Sequence, residues 1–220
     1  MKRVIAALIG LMVLVSCGAV SMAAAEGPIV SGQVAQQKLI EGNKRYVAAS
    51  MAHPHQTDQR RTEVAKGQHP FAAILSCSDS RVPPEIIFDQ GLGDLFVVRV
   101  AGNVLDDTAL ASLEYAVEHL GVRYIMVLGH ARCGAVEATL KGGAAPGHIG
   151  SLLKAIQPAV DQARKQPGDP LDNAIKVNVA RVVQQLKTSA PLLEEFIKEG
   201  GLTITGAYYD LDLGAVAILP

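Results

Sequence analysis

The sequence has little excess charge of either sign, few cysteines and no repeated segment. Its 220 residues carry 20 lysines and arginines against 21 aspartates and glutamates, which gives a formal net charge of −1 at pH 7. Proteins that bind nucleic acid need a basic surface, so this balance predicts no nucleic-acid partner. The absence of repeats and low-complexity tracts argues against a solenoid or a chain of linked modules.

The first 25 residues have the three-part plan of a secretory signal. Lys2 and Arg3 form a basic start, residues 4–15 are an unbroken apolar run, and small residues continue to Ala25. This apolar run is too short to span a bilayer as a permanent helix. The sequence therefore predicts a signal peptide at 1–25 and a protein secreted across the inner membrane of a bacterium into the periplasm.

Two cleavage sites compete within this signal. Residues 23–25 offer a small-x-small site before Glu26, whereas residues 14–17, Leu-Val-Ser-Cys, resemble the box at which bacterial lipoproteins are cleaved and acylated on cysteine. The second alternative predicts a membrane-anchored lipoprotein with its lipid on Cys17. In the simpler alternative, Cys17 is an apolar residue that is removed with the signal.

Residues 26–220 are long enough for one well-buried core and short for two, so they are predicted to form a single domain. Residues 32–50 have the spacing of an amphipathic helical arm, and residues 106–121 have the caps and periodicity of a second helix. Apolar runs predict three buried strands, at residues 71–76, 95–100 and 124–128. Strands separated by helices predict an α/β fold with a central, mostly parallel sheet flanked by helices, an N-terminal helical arm and a C-terminal edge strand.

Three candidate metal ligands lie near the ends of these strands. Cys77 follows the first strand and His130 the third, and the carboxyl ends of parallel strands share one edge of a sheet. If the two strands are neighbours, about 4.8 Å apart, one metal with bonds of about 2.0–2.3 Å can bridge both ligands. Cys133 follows at the start of the next helix, where exposed amides favour a thiolate. Two thiolates and an imidazole match a catalytic zinc site with an open fourth position.

A Cys77–Cys133 disulfide is the alternative, because an exported protein meets an oxidising environment. That alternative leaves His130 without a purpose, and it does not explain Asp79 and Arg81. Beside a metal-bound water, a carboxylate can accept a hydrogen bond and orient the water, while an arginine keeps the carboxylate ionised. Asp79 could instead ligate the metal, or form a surface salt bridge with Arg81 worth less than about 1 kcal/mol.

These segments together resemble the β-class carbonic anhydrases. Residues 77–81 read Cys-Ser-Asp-Ser-Arg, residues 93–103 contain Gly-Asp-Leu-Phe-Val-Val-Arg and Ala-Gly-Asn, and residues 129–134 read Gly-His-Ala-Arg-Cys-Gly. The similarity extends to residues 67–71, 113–117 and 206–210. It therefore covers nearly all of the chain after the signal.

The resemblance implies a zinc enzyme, a lyase that reversibly hydrates carbon dioxide to bicarbonate and a proton by a zinc-bound hydroxide. It implies one Zn²⁺ per chain, with Cys77, His130 and Cys133 as ligands and Asp79 and Arg81 as the catalytic pair beside them. In family members this aspartate can also swing onto zinc and close the site at low pH. The residues that the resemblance implies for substrate binding are spread along the chain: Gln68, Phe96, Ala101, Gly102, Tyr115 and Gly134.

The resemblance further implies a homodimer or homotetramer, in which residues 32–50 serve as the contact arm. Some bacterial members are inhibited by bicarbonate in a pocket built partly from tryptophan, and since this sequence has no tryptophan, we expect no inhibition of that form. Two other functions are compatible with the same ligands. One is a related hydrolase of carbon disulfide or carbonyl sulfide, and the other is a non-catalytic zinc or redox protein.

Overall fold

Five strands form a single sheet in the computed structural model, which describes residues 29–220; the predicted signal at 1–25 and Cys17 lie outside the described residues. The strand order is β2-β1-β3-β4-β5. Strands β1 to β4 are parallel, and the short β5 runs antiparallel to β4 at one edge. The bounds are β1 Ala72–Ser76, β2 Leu95–Arg99, β3 Tyr124–His130, β4 Thr203–Tyr209 and β5 Val216–Ile218. The predicted α/β architecture is confirmed.

Helices cover both faces of the sheet. They are α1 Gly32–Val47, α2 Asp58–Val64, α3 Pro84–Ile87, α4 Asp107–Glu118, α5 Gly134–Lys141, α6 Ile149–Ala163, α7 Pro170–Lys187 and α8 Leu192–Lys198. The helical arm predicted at 32–50 corresponds to α1, and the helix predicted at 106–121 corresponds to α4, whose first turn is capped by the side chain of Asp106. Within residues 29–220, no helix combines the length and the apolar character needed to cross a membrane.

Strand β1 lies between two hydrophobic clusters, one on each face of the sheet. Its five residues are all buried. Ala72 and Ile74 face a cluster formed with α1, α5 and α6, whereas Ala73 and Leu75 face a second cluster formed with α4 and α8. A parallel strand covered on both faces is mostly apolar, which explains the apolar run that precedes Ser76 in the sequence.

Helix α1 is held against the rest of the fold by the hydrogen bonds of one buried asparagine and by one close backbone contact. Asn43 is buried, and its Nδ2 donates to the carbonyl oxygens of Ile87 at 3.1 Å and Gly214 at 2.9 Å. Its Oδ1 accepts the amide of Val216 at 2.8 Å. Beside it, a Cβ added to Gly42 would lie 1.8 Å from the carbonyl oxygen of Phe88. The packing of α1 onto the end of α3 therefore requires glycine at this position.

Replacing Gly42 with alanine should lower the free energy of unfolding by about 1–3 kcal/mol, because the added methyl group must push α1 away from Phe88. Urea unfolding at a fixed protein concentration measures the change. Gly150 provides a matched control, since it also lies in a helix and a Cβ there would meet no atom within 4 Å. We expect Gly150→Ala to be neutral or stabilising by up to about 1 kcal/mol. Equal stabilities of the two variants would contradict the close contact.

Candidate metal centre

The three candidate ligands meet at the carboxyl edge of the sheet. Strands β1 and β3 are direct neighbours, with Ser76 paired to Leu128, so Cys77 emerges beside the last residues of β3. Strand β3 extends two residues further than predicted and contains His130. Cys133 is the N-terminal cap residue of α5. Their ligand atoms lie within 4.8 Å of one another, and all three residues are buried.

Cys77 and Cys133 are free thiols whose spacing suits a shared metal. Their Sγ atoms are 4.0 Å apart, about twice the ~2.05 Å length of a disulfide bond. Two sulfurs bound tetrahedrally to one zinc at about 2.3 Å would lie roughly 3.8 Å apart. The observed separation therefore fits metal ligation, and the disulfide is not formed in this structure.

His130 presents one buried ring nitrogen to the two sulfurs. Its Nδ1 is 2.9 Å from the carbonyl oxygen of Ala131, which places the ring proton on Nδ1 and leaves Nε2 as an acceptor. This Nε2 is buried and has no hydrogen-bond partner in the part of the chain that the structure describes. Buried polar atoms are almost always satisfied, so an orphaned imidazole nitrogen beside two sulfurs fits a metal ligand.

Burial and mutual contact separate the two thiol pKa values. The hydrogen bond from Cys133 lowers the pKa of Cys77 despite its burial, and the backbone amide of Gly102 adds to this effect. The same contact with Cys77, together with burial, raises the pKa of Cys133. The pair therefore loses its first proton easily and its second with difficulty. A bound divalent cation would stabilise both thiolates, which links metal binding to release of the second proton.

Asp79 and Arg81 form a fork beside the ligands. Oδ1 of Asp79 accepts the backbone amide and Nε of Arg81, both at 2.9 Å, and Oδ2 accepts Nη2 at 2.7 Å. Mainly because of the side-chain hydrogen bonds from Arg81, the pKa of Asp79 is lowered to about 2. Oδ2 also lies 3.9 Å from Nε2 of His130. An ionised carboxylate is thus held close to the ligand set and oriented by the guanidinium.

Arg99, at the end of β2, fixes the loop that carries both Cys77 and Asp79. Its Nε donates to the carbonyl oxygen of Cys77 at 3.0 Å, and its Nη2 donates to that of Asp79 at 2.6 Å. Arg99 was not among the predicted site residues. Its position near the carboxyl end of the strand predicted at 95–100, at the same edge as the ligands, was the available signal.

The six residues predicted to bind substrate fall into two groups in this chain. Ala101 and Gly102 lie in one turn, and the backbone amide nitrogen of Gly102 is 3.2 Å from Sγ of Cys77. Gly134 directly follows Cys133. These three residues border the metal centre.

The other three lie elsewhere in the chain. Gln68 is exposed and lines a surface cavity of about 460 Å³ with Gly93. Phe96 pairs with Ala73, four residues before Cys77, which is about 13 Å along the strand. The ring of Tyr115 lies 6.4 Å from that of Phe96, measured between centroids. Substrate contact by any of the six remains a prediction.

The comparison with protein families decides how this centre is classified. A family model described as carbonic anhydrase matches residues 72–216, a segment that contains Cys77, His130 and Cys133. The chain belongs to the carbonic anhydrase family. The match also includes Asp79, Arg81 and Arg99, so the metal centre and the contacts around it lie within the part that the family shares.

Curated carbonic anhydrases resemble the chain over nearly its whole described length. A Mycobacterium tuberculosis protein named carbonic anhydrase 2 is 42% identical over 195 residues, covering 87% of this chain and 94% of the relative. A carbonic anhydrase of Mycolicibacterium smegmatis is 39% identical over 188 residues, covering 84% and 91%.

Solved structures place the chain in the β class of the family. One of two tetrameric β-carbonic anhydrases from Sordaria macrospora aligns with a TM-score of 0.69 and 26% identity, covering 84% of this chain and 96% of the other. A Coccomyxa β-carbonic anhydrase, solved with acetazolamide, aligns with a TM-score of 0.67 and 28% identity, covering 82% and 84%. The predicted membership of the β-class carbonic anhydrases is confirmed.

Membership of the β class and the donor set agree on the metal. Zinc is the cofactor of β-carbonic anhydrases, and Cys, His and Cys are ligands that zinc prefers in proteins. The 4.0 Å sulfur separation and the unpartnered Nε2 of His130 fit that metal. The predicted Zn²⁺ cofactor is therefore supported both by the family and by the residues present.

Proposed function

We propose that the protein reversibly hydrates carbon dioxide to bicarbonate at the centre formed by Cys77, His130 and Cys133. The observation that carries this function is the buried Cys-His-Cys cluster with the ionised Asp79–Arg81 pair beside it, in a β-class carbonic anhydrase. When bound, zinc supplies a Lewis acid that makes a hydroxide nucleophile available near neutral pH. The two thiolates would balance the charge of the metal, and the imidazole would complete a set of three protein ligands, the number typical of catalytic zinc sites.

Asp79 orients the nucleophile and does not store its proton. With a pKa of about 2, its carboxylate is ionised throughout the neutral range and acts only as a hydrogen-bond acceptor. The guanidinium of Arg81 donates a hydrogen bond to each oxygen of the Asp79 carboxylate. These two bonds fix the orientation of the carboxylate, and therefore the direction of its remaining lone pairs. A group with so low a pKa cannot hold a proton near pH 7, so the proton released on hydration must pass to an acceptor other than Asp79.

Stopped-flow hydration of carbon dioxide, combined with metal analysis of the same preparation, tests the proposed function. We expect rapid hydration and one zinc per chain. Carbon disulfide and carbonyl sulfide, assayed side by side with carbon dioxide, test the related hydrolase. Turnover of the sulfur compounds without hydration of carbon dioxide would overturn the proposal, and zinc binding without turnover of any substrate would favour a non-catalytic protein.

We also propose that a second copy of the chain covers the outer face of β2. This strand is an edge of the sheet, yet Phe96 and Val98 are apolar and only partly buried, and Tyr115 on the neighbouring α4 is 39% exposed. Exposed edges and apolar patches are typical of association surfaces, and the Sordaria neighbours are described as tetrameric. Sedimentation should give a dimer or tetramer, and Tyr115→Arg should shift it toward the monomer. A monomeric parent protein would contradict this assembly.

We propose that residues 1–25 direct export to the periplasm, on the strength of the basic start and the apolar run at 4–15. The intact mass of the mature protein distinguishes the alternatives for cleavage. A chain that begins at Glu26 supports the soluble exported form, and a chain that begins at an acylated Cys17 supports the lipoprotein. A full-length chain that stays in the cytoplasm would contradict export.

A further inference from the structure

A buried amide on α7 connects to the first metal ligand through a single glycine. Asn178 is only 3% exposed, and its Nδ2 donates to the carbonyl oxygen of Gly102 at 2.8 Å. The backbone amide of Gly102 in turn donates to Sγ of Cys77 at 3.2 Å. Both backbone polar groups of Gly102 therefore make hydrogen bonds: its carbonyl oxygen to Asn178 on α7, and its amide to Cys77.

The backbone conformation of Gly102 needs a stabilising contact, because glycine is conformationally flexible and the surrounding side chains are close. Its φ of +68° lies in the left-handed region, and the following Asn103 also has a positive φ, of 44°. A Cβ at Gly102 would lie 2.7 Å from Cδ1 of Ile156 and 3.2 Å from Cβ of Ala135, so a larger residue there would be crowded as well as strained. Glycine adopts many other conformations at low cost. A hydrogen bond that fixes the direction of its carbonyl therefore also restricts where its amide points.

Helix α7 is a firm base for this contact. Its first turn is capped by the side chain of Asp169, which accepts the amide of Asp172 at 2.7 Å. Val179 packs so closely against the sheet that a Cβ added to Gly129 or Gly206 would lie 2.5 Å or 2.7 Å from its methyl groups. A side chain on a rigid, tightly packed helix can hold a functional backbone group more accurately than one on a loop.

Core packing alone does not require a polar residue at position 178. The other buried residues of α7 are all apolar: Ala174, Ile175, Val177, Val179, Val182 and Leu186. Burying an amide side chain is unfavourable unless its hydrogen bonds are made, and an aliphatic side chain of similar size would bury without that cost. The asparagine is therefore best explained by the group that it contacts, which is Gly102.

We propose that Asn178 is a positioning residue for the metal centre. By holding Gly102, it keeps a backbone N–H directed at the thiolate of Cys77, and such hydrogen bonds reduce the electron donation of a thiolate and orient it toward its metal. This inference rests on the proposed zinc centre and adds a residue that contacts neither substrate nor metal. It predicts that changes at Asn178 alter the metal–sulfur bond although the three ligands are intact.

The test replaces Asn178 with leucine, which has a similar size and cannot donate to Gly102. We expect the variant to release zinc to a chelator at least about 10-fold faster than the parent protein, as is typical when a partner of a metal ligand is lost. After cobalt(II) is substituted for zinc, the thiolate-to-cobalt charge-transfer band should move to lower energy. This shift reports the electron donation of the sulfur and does not depend on catalytic activity.

Two further variants separate positioning from general destabilisation. Val182 is buried one turn further along α7 and has no side-chain group that could donate a hydrogen bond to Gly102, so Val182→Ala should lower stability without moving the cobalt band. If Asn178→Leu does not fold, Asn178→Ser, whose side chain is too short to reach Gly102, carries the same expectation. A folded Asn178 variant with the zinc release and cobalt band of the parent would overturn the proposal. A parent protein without a thiolate–cobalt band would overturn the zinc centre itself, and this inference with it.

Discussion

Replacement of Cys133 with alanine should remove both stoichiometric zinc and the hydration of carbon dioxide. The variant keeps Cys77 and His130, but two ligands do not hold zinc in a three-residue catalytic site. A metal Lewis acid contributes several kcal/mol to the reaction, and each 1.36 kcal/mol corresponds to a factor of ten. We therefore expect kcat/KM to fall at least roughly 10³-fold, as measured by stopped-flow hydration alongside metal analysis.

A substitution in the same helix controls for damage to α5. Thr139 is 1% exposed, and its hydroxyl donates to the carbonyl oxygen of Ala135 at 2.8 Å. Thr139→Val keeps the shape of the side chain and leaves the three ligands intact, so it should retain zinc and activity. Activity that survives in Cys133→Ala without zinc would rule out the mechanism proposed for this centre.

The clustering of the three candidate metal ligands could be predicted from the sequence because each follows a feature that is locally visible. The apolar runs of β1 and β3 mark where two buried strands end, and parallel strands bring those ends to one edge. That reasoning placed Cys77 beside His130, and the direct pairing of β1 with β3 places them so in the structure. Cys133 follows within one turn and needs no long-range information.

Strand β4 was not predicted, because its pattern reflects contacts that are distant in sequence. Residues 203–209 read Thr-Ile-Thr-Gly-Ala-Tyr-Tyr, with small residues in the middle of a strand. A Cβ at Gly206 would lie 2.7 Å from Cγ1 of Val179, so close packing of α7 explains the glycine. Helices α6, α7 and α8 were likewise not predicted. Their burial against the sheet becomes visible only once the sheet order is known.

Asn178 and Gln68 show a second limit of sequence analysis. Asn178 follows no strand and belongs to no recognised motif, and its contact with Gly102 joins residues that are 76 positions apart. Gln68 belongs to a recognised motif, yet within one chain it is exposed on the surface. A sequence motif indicates which residues serve the same function, but whether their side chains lie close together depends on the tertiary structure.

Replacement of Asp79 with asparagine should lower kcat/KM about 10–100-fold at neutral pH and leave zinc stoichiometric. The amide keeps a similar shape but loses the negative charge, and its nitrogen cannot accept the hydrogen bonds that the carboxylate accepts from Arg81. Loss of such an orienting partner beside a metal typically has an effect of this size. Stopped-flow rates and zinc content of the same sample check the prediction. If zinc is lost together with the rate, Asp79 is a ligand.

The pH dependence of stability tests whether the ionised carboxylate of Asp79 stabilises the fold through its pairing with Arg81. Its pKa is about 2 in the folded protein, against about 3.9 for an unperturbed aspartate. A lowered pKa stabilises the folded state above the unfolded value, and this contribution is lost as the pH falls from about 4 through 2. Arg81→Gln removes the main cause of the low pKa, so its deficit in unfolding midpoint relative to the parent should be constant from pH 5 to 7 and shrink below pH 4. A deficit that grows in acid would mean that Arg81 stabilises the fold by contacts other than its pairing with an ionised Asp79.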